Sequence, residues 1–146
     1  ISYYTREIAE CMGMDKSFAE SIFYASPMHD IGKVGIPDDI LLKPGKLTDE
    51  EFEHIKRHPK LGLKRGMQLP NVSRMSKEIC LMHHEKLDGS GYPLGLSGDD
   101  IPLHVRMSSI VDVYDALTAE RVYKRGMDSI EAFKILTNYS GSMWIT

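Results

Sequence analysis

The stretch His29-Asp30-Ile31-Gly32-Lys33-Val34-Gly35-Ile36-Pro37-Asp38 sets an imidazole beside a carboxylate, two residues after Pro27 and where a helical apolar period gives out. Neighbouring residues on a regular helix point about 100° apart, so an adjacent His-Asp pair serves one centre only through a shared metal edge or a distorted backbone. Pro27 can supply that distortion, because it removes a backbone donor and kinks the turn. Upstream, Tyr4, Ile8, Cys11 and Met12 form an apolar stripe ended by Gly13, and Phe18, Ile22 and Ala25 form the next behind an Asp15 cap. Both read as core-facing helices. Downstream, Thr48 with Glu51 three residues on is a capping-box pattern; it opens a helix that carries Phe52 and Ile55 on one face and reaches His58 just before Pro59. Val72, Met75, Ile79 and Met82 keep a helical period up to His83 and His84. Met107, Ile110, Val113, Tyr114 and Leu117 do the same around Asp112, and a last helix from Asp128 is expected to turn Ile130, Phe133 and Leu136 inward. No segment alternates as a strand, so the fold class is an all-α helical bundle. Residues 32–47 and 86–103, rich in glycine and proline, break the pattern; loops this long in a compact domain are uncommon unless functional.

Bulk properties narrow the function classes. A chain of 146 residues, 42% hydrophobic, can bury one core but not two. With 18 Lys+Arg against 21 Asp+Glu the formal charge is -3, which argues against a broad grip on DNA, so any phosphate contact must be local. Cys11 and Cys80 offer neither a disulfide framework nor a CxxC site, which fits a reducing, cytoplasmic setting. No apolar run approaches the ~20 residues of a spanning helix. The start at Ile1 and the stop at Trp144-Ile145-Thr146 read as cuts, so one domain over 1–146, truncated at both ends, is the expectation.

The histidines carry the chemical signal. His29, His58, His83 and His84 all fall where a helix ends, where side chains project across a cleft, and imidazole with carboxylate suits divalent iron, manganese, zinc and similar ions. His54 stands four residues before His58 and would share its face on an intact helix. The intervening Ile55-Lys56-Arg57 lacks the glutamate of an HExxH site, and His54 is assigned to the surface. His104 reads as a capping or exposed residue, and most of the nine methionines as core filler.

Beyond residue chemistry, the segment from His29 to Asp38 resembles the HDxGKxxIPD motif of HD-GYP domains, a branch of the HD superfamily of metal-dependent phosphohydrolases. Leu42-Lys43-Pro44-Gly45-Lys46-Leu47-Thr48 is similar to its continuation. His83-His84-Glu85 followed by Asp88-Gly89-Ser90-Gly91-Tyr92-Pro93 resembles the HHE and DGxGYP signature of that branch, and Val111-Asp112-Val113-Tyr114-Asp115 and Arg121-Val122-Tyr123-Lys124 complete the run. The resemblance implies an HD-type helical bundle with two long functional loops. It implies that His29, Asp30, His58, His83, His84 and Asp112 bind two or three divalent ions, with Asp30 bridging. Iron or manganese comes first, with zinc, nickel or cobalt as alternatives.

Such ions activate water and neutralise charge on a phosphodiester. By the same resemblance Asp30 and Lys33 are catalytic, and Lys33, Gly91, Tyr92, Arg121 and Lys124 contact substrate. The implied reaction is hydrolysis of cyclic di-GMP to pGpG and on to GMP. It would be the output of a bacterial signalling protein with an upstream sensor or receiver domain, with a diguanylate cyclase partner and a homodimer as further expectations. Family members carry one more histidine on the first helix, in trinuclear members with a glutamate one turn earlier; neither is present, and truncation before Ile1 is the expected cause. A nucleotide- or partner-binding module without turnover, or a different HD phosphohydrolase, are the competing readings.

Overall fold

The computed structural model describes residues 1–120 and 125–139. Among the described residues eight α-helices run in order: α1 Ser2–Cys11, α2 Lys16–Ala25, α3 Asp38–Leu41, α4 Asp49–Ile55, α5 His58–Gln68, α6 Arg74–Met82, α7 Leu103–Thr118 and α8 Ser129–Asn138. Between α2 and α3 lies a 3-10 helix, Ser26–Gly35, and a second, Gly98–Asp100, precedes α7. Among the described residues there is no strand, only an isolated antiparallel bridge between Asp88 and Ser97. The architecture is therefore all-α.

Side-chain caps start the helices where the sequence places them. Asp15 accepts from Phe18 N at 2.8 Å, and Thr48 and Glu51 close a reciprocal capping box at α4. Ser73 caps α6 through Ser76 N, and Asp128 caps α8 through Ile130 N. The core gathers Ile22, Ile79, Val105 and Met107 with Ala9, Ala19 and Ala25.

The 3-10 helix is the structural centre of the molecule, with α5 and α6 both packed against it. That packing is close because two glycines meet. A Cβ on Gly32 would fall on the His58 carbonyl oxygen, and one on Gly62 would collide with Cys80 Sγ. At the other side a buried Thr5 hydroxyl lies 3.2 Å from that of Ser26, tying α1 to the start of the same segment.

Four sequence expectations change. The helix from Thr48 stops at Ile55, and His58 opens α5 instead of closing α4, because Pro59, which needs no N–H in a first turn, starts a helix as readily as it ends one. The stretch 32–47 holds the end of the 3-10 helix and the short α3, whereas 86–103 is irregular apart from its 3-10 turn. On α1 the buried residues are Thr5 and Ala9, while Tyr4 is half-exposed and Cys11 and Met12 are exposed: the close contact with α2 takes small side chains. On α8, Ala132 and Leu136 are buried, whereas Ile130 and Phe133 stand in solvent.

Candidate metal centre

A 3-10 helix has three residues per turn, so side chains at i and i+3 eclipse. That geometry builds the first half of the site. Lys33 sits over Asp30, with Nζ 2.6 Å from Oδ2. His29 sits over Gly32, where no side chain competes, and its Nδ1 lies 2.8 Å from the Ser26 carbonyl oxygen. His29 Nε2 then faces two carboxylates, Asp30 Oδ2 at 3.3 Å and Asp112 Oδ1 at 3.4 Å.

The second half comes from α5 and the end of α6. His58 is fully buried, with Nδ1 2.7 Å from Ile55 O and Nε2 3.4 Å from Asp30 Oδ1. His83 places Nδ1 3.1 Å from Ile79 O and 3.2 Å from Cys80 O, and its Nε2 lies 3.8 Å from Asp30 Oδ1. The His83 carbonyl accepts from Ser109 Oγ of α7 at 2.7 Å, which ties the end of α6 to the helix that carries Asp112. His84 completes the cluster: ligand atoms of His58, His83 and His84 lie within 4.8 Å of one another.

Asp30 thus turns one oxygen to each half. Oδ1 meets His58 and His83, and Oδ2 meets His29 and Lys33.

The donor set fits a cation on an internal observation. The Nδ1–H groups of His58 and His83 donate to backbone carbonyls, which fixes the tautomer and leaves each Nε2 as a bare lone pair. Those two nitrogens lie 3.3 Å apart. Two acceptors at that distance cannot bond to each other, and both are buried away from water, an arrangement a shared positive charge relieves.

The electrostatics agree. Burial pushes His83 and His84 down to about 3, helped at His83 by His84 and at His84 by His58, so both rings are neutral and ready to ligate near pH 7. Burial lowers His58 as well. His29 differs: burial alone would lower it, but Asp112 and Asp30 outweigh that and raise it to about 10. Asp30 is held well below the usual carboxylate range, with His29 and Lys33 overcoming the cost of its own burial. His29 therefore favours its protonated form between the two carboxylates. The Cys80 thiol, three residues before His83, is buried and pushed up to about 11 by that burial, with Asp30 adding to it.

The loop after His84 is held by Glu85, a residue that sequence reading noted only as part of the HHE run. Its buried carboxylate accepts from Leu94 N at 2.6 Å and Leu96 N at 2.9 Å, and Tyr92 N donates to His84 O at 3.2 Å. Gly91 is required sterically, since a Cβ there would lie 2.5 Å from His84 O, Glu85 Cα and Lys86 N. The fold-back stacks Tyr92 on the His84 ring, centroids 4.7 Å apart and planes 23° apart. Burial first, then Asp112 and Asp30, push the Tyr92 hydroxyl above its ordinary range, so it stays protonated and can donate.

His29, Asp30, Lys33, His58, His83, His84, Gly91, Tyr92 and Asp112 thus converge on one site. Arg121 and Lys124 lie outside the described residues. His54 is exposed, as expected from its neighbours. His104 is neither a cap nor exposed: its side chain is largely buried, with Nε2 2.8 Å from Glu78 Oε2.

The fold is all-α and gathers imidazoles and carboxylates around Asp30. The chain belongs to the HD domain family, whose model matches residues 1–145, and HD domains bind divalent metal. It is 52% identical over 130 residues to a probable cyclic di-GMP phosphodiesterase of Vibrio cholerae, covering 84% of this chain and 30% of that protein. It is 46% identical over 125 residues to 3'3'-cGAMP-specific phosphodiesterase 2 of the same organism, covering 85% of this chain and 24% of the relative. The chain thus spans about a third or less of these relatives. Bd1817, an HDG"Y"P protein from Bdellovibrio bacteriovorus, shares the fold with a TM-score of 0.73 at 21% identity, over 97% of this chain and 45% of that one. Among the described residues no helix is long and apolar enough to cross a membrane.

Proposed function

We propose that this domain is the catalytic part of a metal-dependent phosphodiesterase that opens cyclic di-GMP to pGpG and carries the product on to GMP. The observation that carries the reading is the pair of buried, converging Nε2 lone pairs of His58 and His83, both facing Asp30 Oδ1. His29, Asp30, His58, His83, His84 and Asp112 would hold two or three divalent ions, iron or manganese first, with Asp30 as the proposed bridging ligand. Bound divalent ions supply the charge that activates water and neutralises the phosphoryl oxygens.

The remaining roles fall to the chain itself. The Lys33 ammonium rests on Asp30 and is 39% exposed, so it can pass to a phosphate oxygen and stabilise charge there. Tyr92, backed by His84, offers a ring face and a hydroxyl donor, and Gly91 lets the loop approach closely enough to present them. Arg121 and Lys124 are proposed phosphate contacts on motif grounds. Each cleavage adds one water and breaks one P–O3' bond, leaving a 5'-phosphate.

Support for the substrate comes from the names of relatives, which include enzymes for cyclic di-GMP and for 3'3'-cGAMP. A substrate panel therefore tests it. Full-length protein loaded anaerobically with Fe(II) or Mn(II) is incubated with cyclic di-GMP and with 3'3'-cGAMP, and products are resolved by chromatography. Release of pGpG from cyclic di-GMP is expected, and Asp30→Ala should abolish it. Retained metal with cyclic di-GMP bound but intact would overturn the enzymatic reading in favour of a sensor, and faster cleavage of 3'3'-cGAMP would overturn the substrate.

A further inference from the structure

Beside the metal centre lies a second, unassigned pocket of about 250 Å³, where α4 gives way to α5 and the loop after His84 comes back. Glu53, Lys56, Arg57, Lys60, Tyr92 and Pro93 line it. It shares Tyr92 with the metal centre: the same ring that stacks on His84 has Lys56 Nζ 5.8 Å from its centroid. Lys56 is held in place, also lying 5.4 Å from the Phe52 ring centroid and paired with an exposed Glu53. Arg57 and Lys60 are exposed and make no ion pair among the described residues. Three cations against one carboxylate make a local positive site on a chain whose formal charge is -3.

A cyclic dinucleotide poses a particular electrostatic problem. It carries two phosphodiesters, both anionic, and only one can sit at the metal centre at a time. The other lies across the same small ring and still needs a cation. The pocket offers ammonium and guanidinium groups next to the aromatic residue that borders the metal centre, and its volume suits a phosphodiester with part of a ribose. Lysine and arginine head groups are also the natural partners of phosphate oxygens.

We propose that the pocket bounded by Lys56, Arg57, Lys60 and Tyr92 seats the phosphodiester that is not being cut, making these cations determinants of preference for cyclic dinucleotides. The inference rests on the proposed phosphodiesterase reading and extends it to residues outside the HD and GYP motifs.

The test compares two substrates on the metal-loaded, full-length protein. Cyclic di-GMP has the second phosphate; bis(p-nitrophenyl) phosphate has only the one being cut. Lys60→Ala, Arg57→Ala and Lys56→Met should each raise KM for cyclic di-GMP roughly tenfold, the worth of one charge-assisted hydrogen bond, with a much smaller effect on the aryl diester. Lys60→Arg should restore most of the loss, and Lys16→Ala, on the remote α2, should change neither substrate. Equal shifts on both substrates, or none on either, would overturn the proposal. If the wild-type protein cleaves the aryl diester but not cyclic di-GMP, the function proposed above fails. Equilibrium dialysis then still decides the pocket: cyclic di-GMP retained less well by Lys60→Ala supports it, and equal retention refutes it.

Discussion

Loading the protein with Mn(II) near pH 7.5 should expel one proton from His29. In the metal-free protein that ring stands between Asp112 and Asp30, and the two carboxylates raise it to about 10 against an ordinary value of 6.5. His58, His83 and His84 are lowered and carry no proton to release at this pH. The cost of removing the His29 proton at pH 7.5 is therefore about 2.5 pH units, or about 3 kcal/mol off the apparent binding free energy. The affinity should rise close to tenfold per pH unit between pH ~7 and ~9 and level off as His29 deprotonates unaided. Calorimetric titration in two buffers of different ionisation enthalpy counts the protons directly, and His29→Gln should lower the count by about one and flatten the pH dependence. A wild-type titration that releases no proton, or an unchanged count in His29→Gln, would refute the ion-pair account of His29 and its two carboxylates.

The same groups govern stability. His83 and His84 have folded values near 3 against 6.5 unfolded, so below pH ~6.5 the unfolded chain binds more protons and metal-free stability falls. His29 has the opposite sign: its contribution is complete below 6.5 and is lost as pH rises toward 10, so the urea midpoint should peak near neutral pH. A midpoint still climbing at pH 9.5 would contradict this. Gly91→Ala drives a methyl into the His84, Glu85 and Lys86 backbone and should cost about 1–3 kcal/mol, together with most turnover, because Tyr92 moves with the loop; full activity at an unchanged thermal midpoint would sink that steric argument. Glu85→Gln replaces one acceptor of the Leu94 and Leu96 amides by a donor and should destabilise by about 1–3 kcal/mol, read from the urea midpoint, while metal content stays constant. Gly32→Ala, directed at the His58 carbonyl, should lower both the melting temperature and metal stoichiometry; a loss of stability with full metal content would show that the contact serves only packing.

What the sequence made legible follows from how local each cause is. The Thr48–Glu51 box and the Asp15 cap are settled within four residues, and they appear as read. The buried faces of α1 and α8 depend on which neighbour comes closest. Against α2 the small Thr5 and Ala9 fit where the larger Tyr4 would not, so of the apolar stripe only Ile8 packs against the core. Pro59 illustrates a true ambiguity: the residue before a proline is disfavoured in a helix, yet proline is welcome in a first turn. Only the packing of α5 on the 3-10 helix decides that His58 begins a helix.

The site itself turns on a conformation that residue patterns express poorly. Ten consecutive residues in a 3-10 helix are unusual, since such runs seldom exceed three or four. An α-helix at Ser26–Gly35 would set Asp30 and Lys33 about 60° apart around its axis instead of one over the other. The tighter helix eclipses Asp30 with Lys33 and leaves His29 over a glycine, and its slimmer profile at Gly32 admits the His58 backbone. Gly32 and Gly62 therefore do what no ligand can. They let two helices approach until the Nε2 atoms of His58 and His83 converge on Asp30. The proposed ligands are written in the motif, but the distance between them is set by two glycines, one of which, Gly62, lies outside every motif read from the sequence. That division of labour explains why the proposed ligand set could be named from sequence while its assembly required the fold.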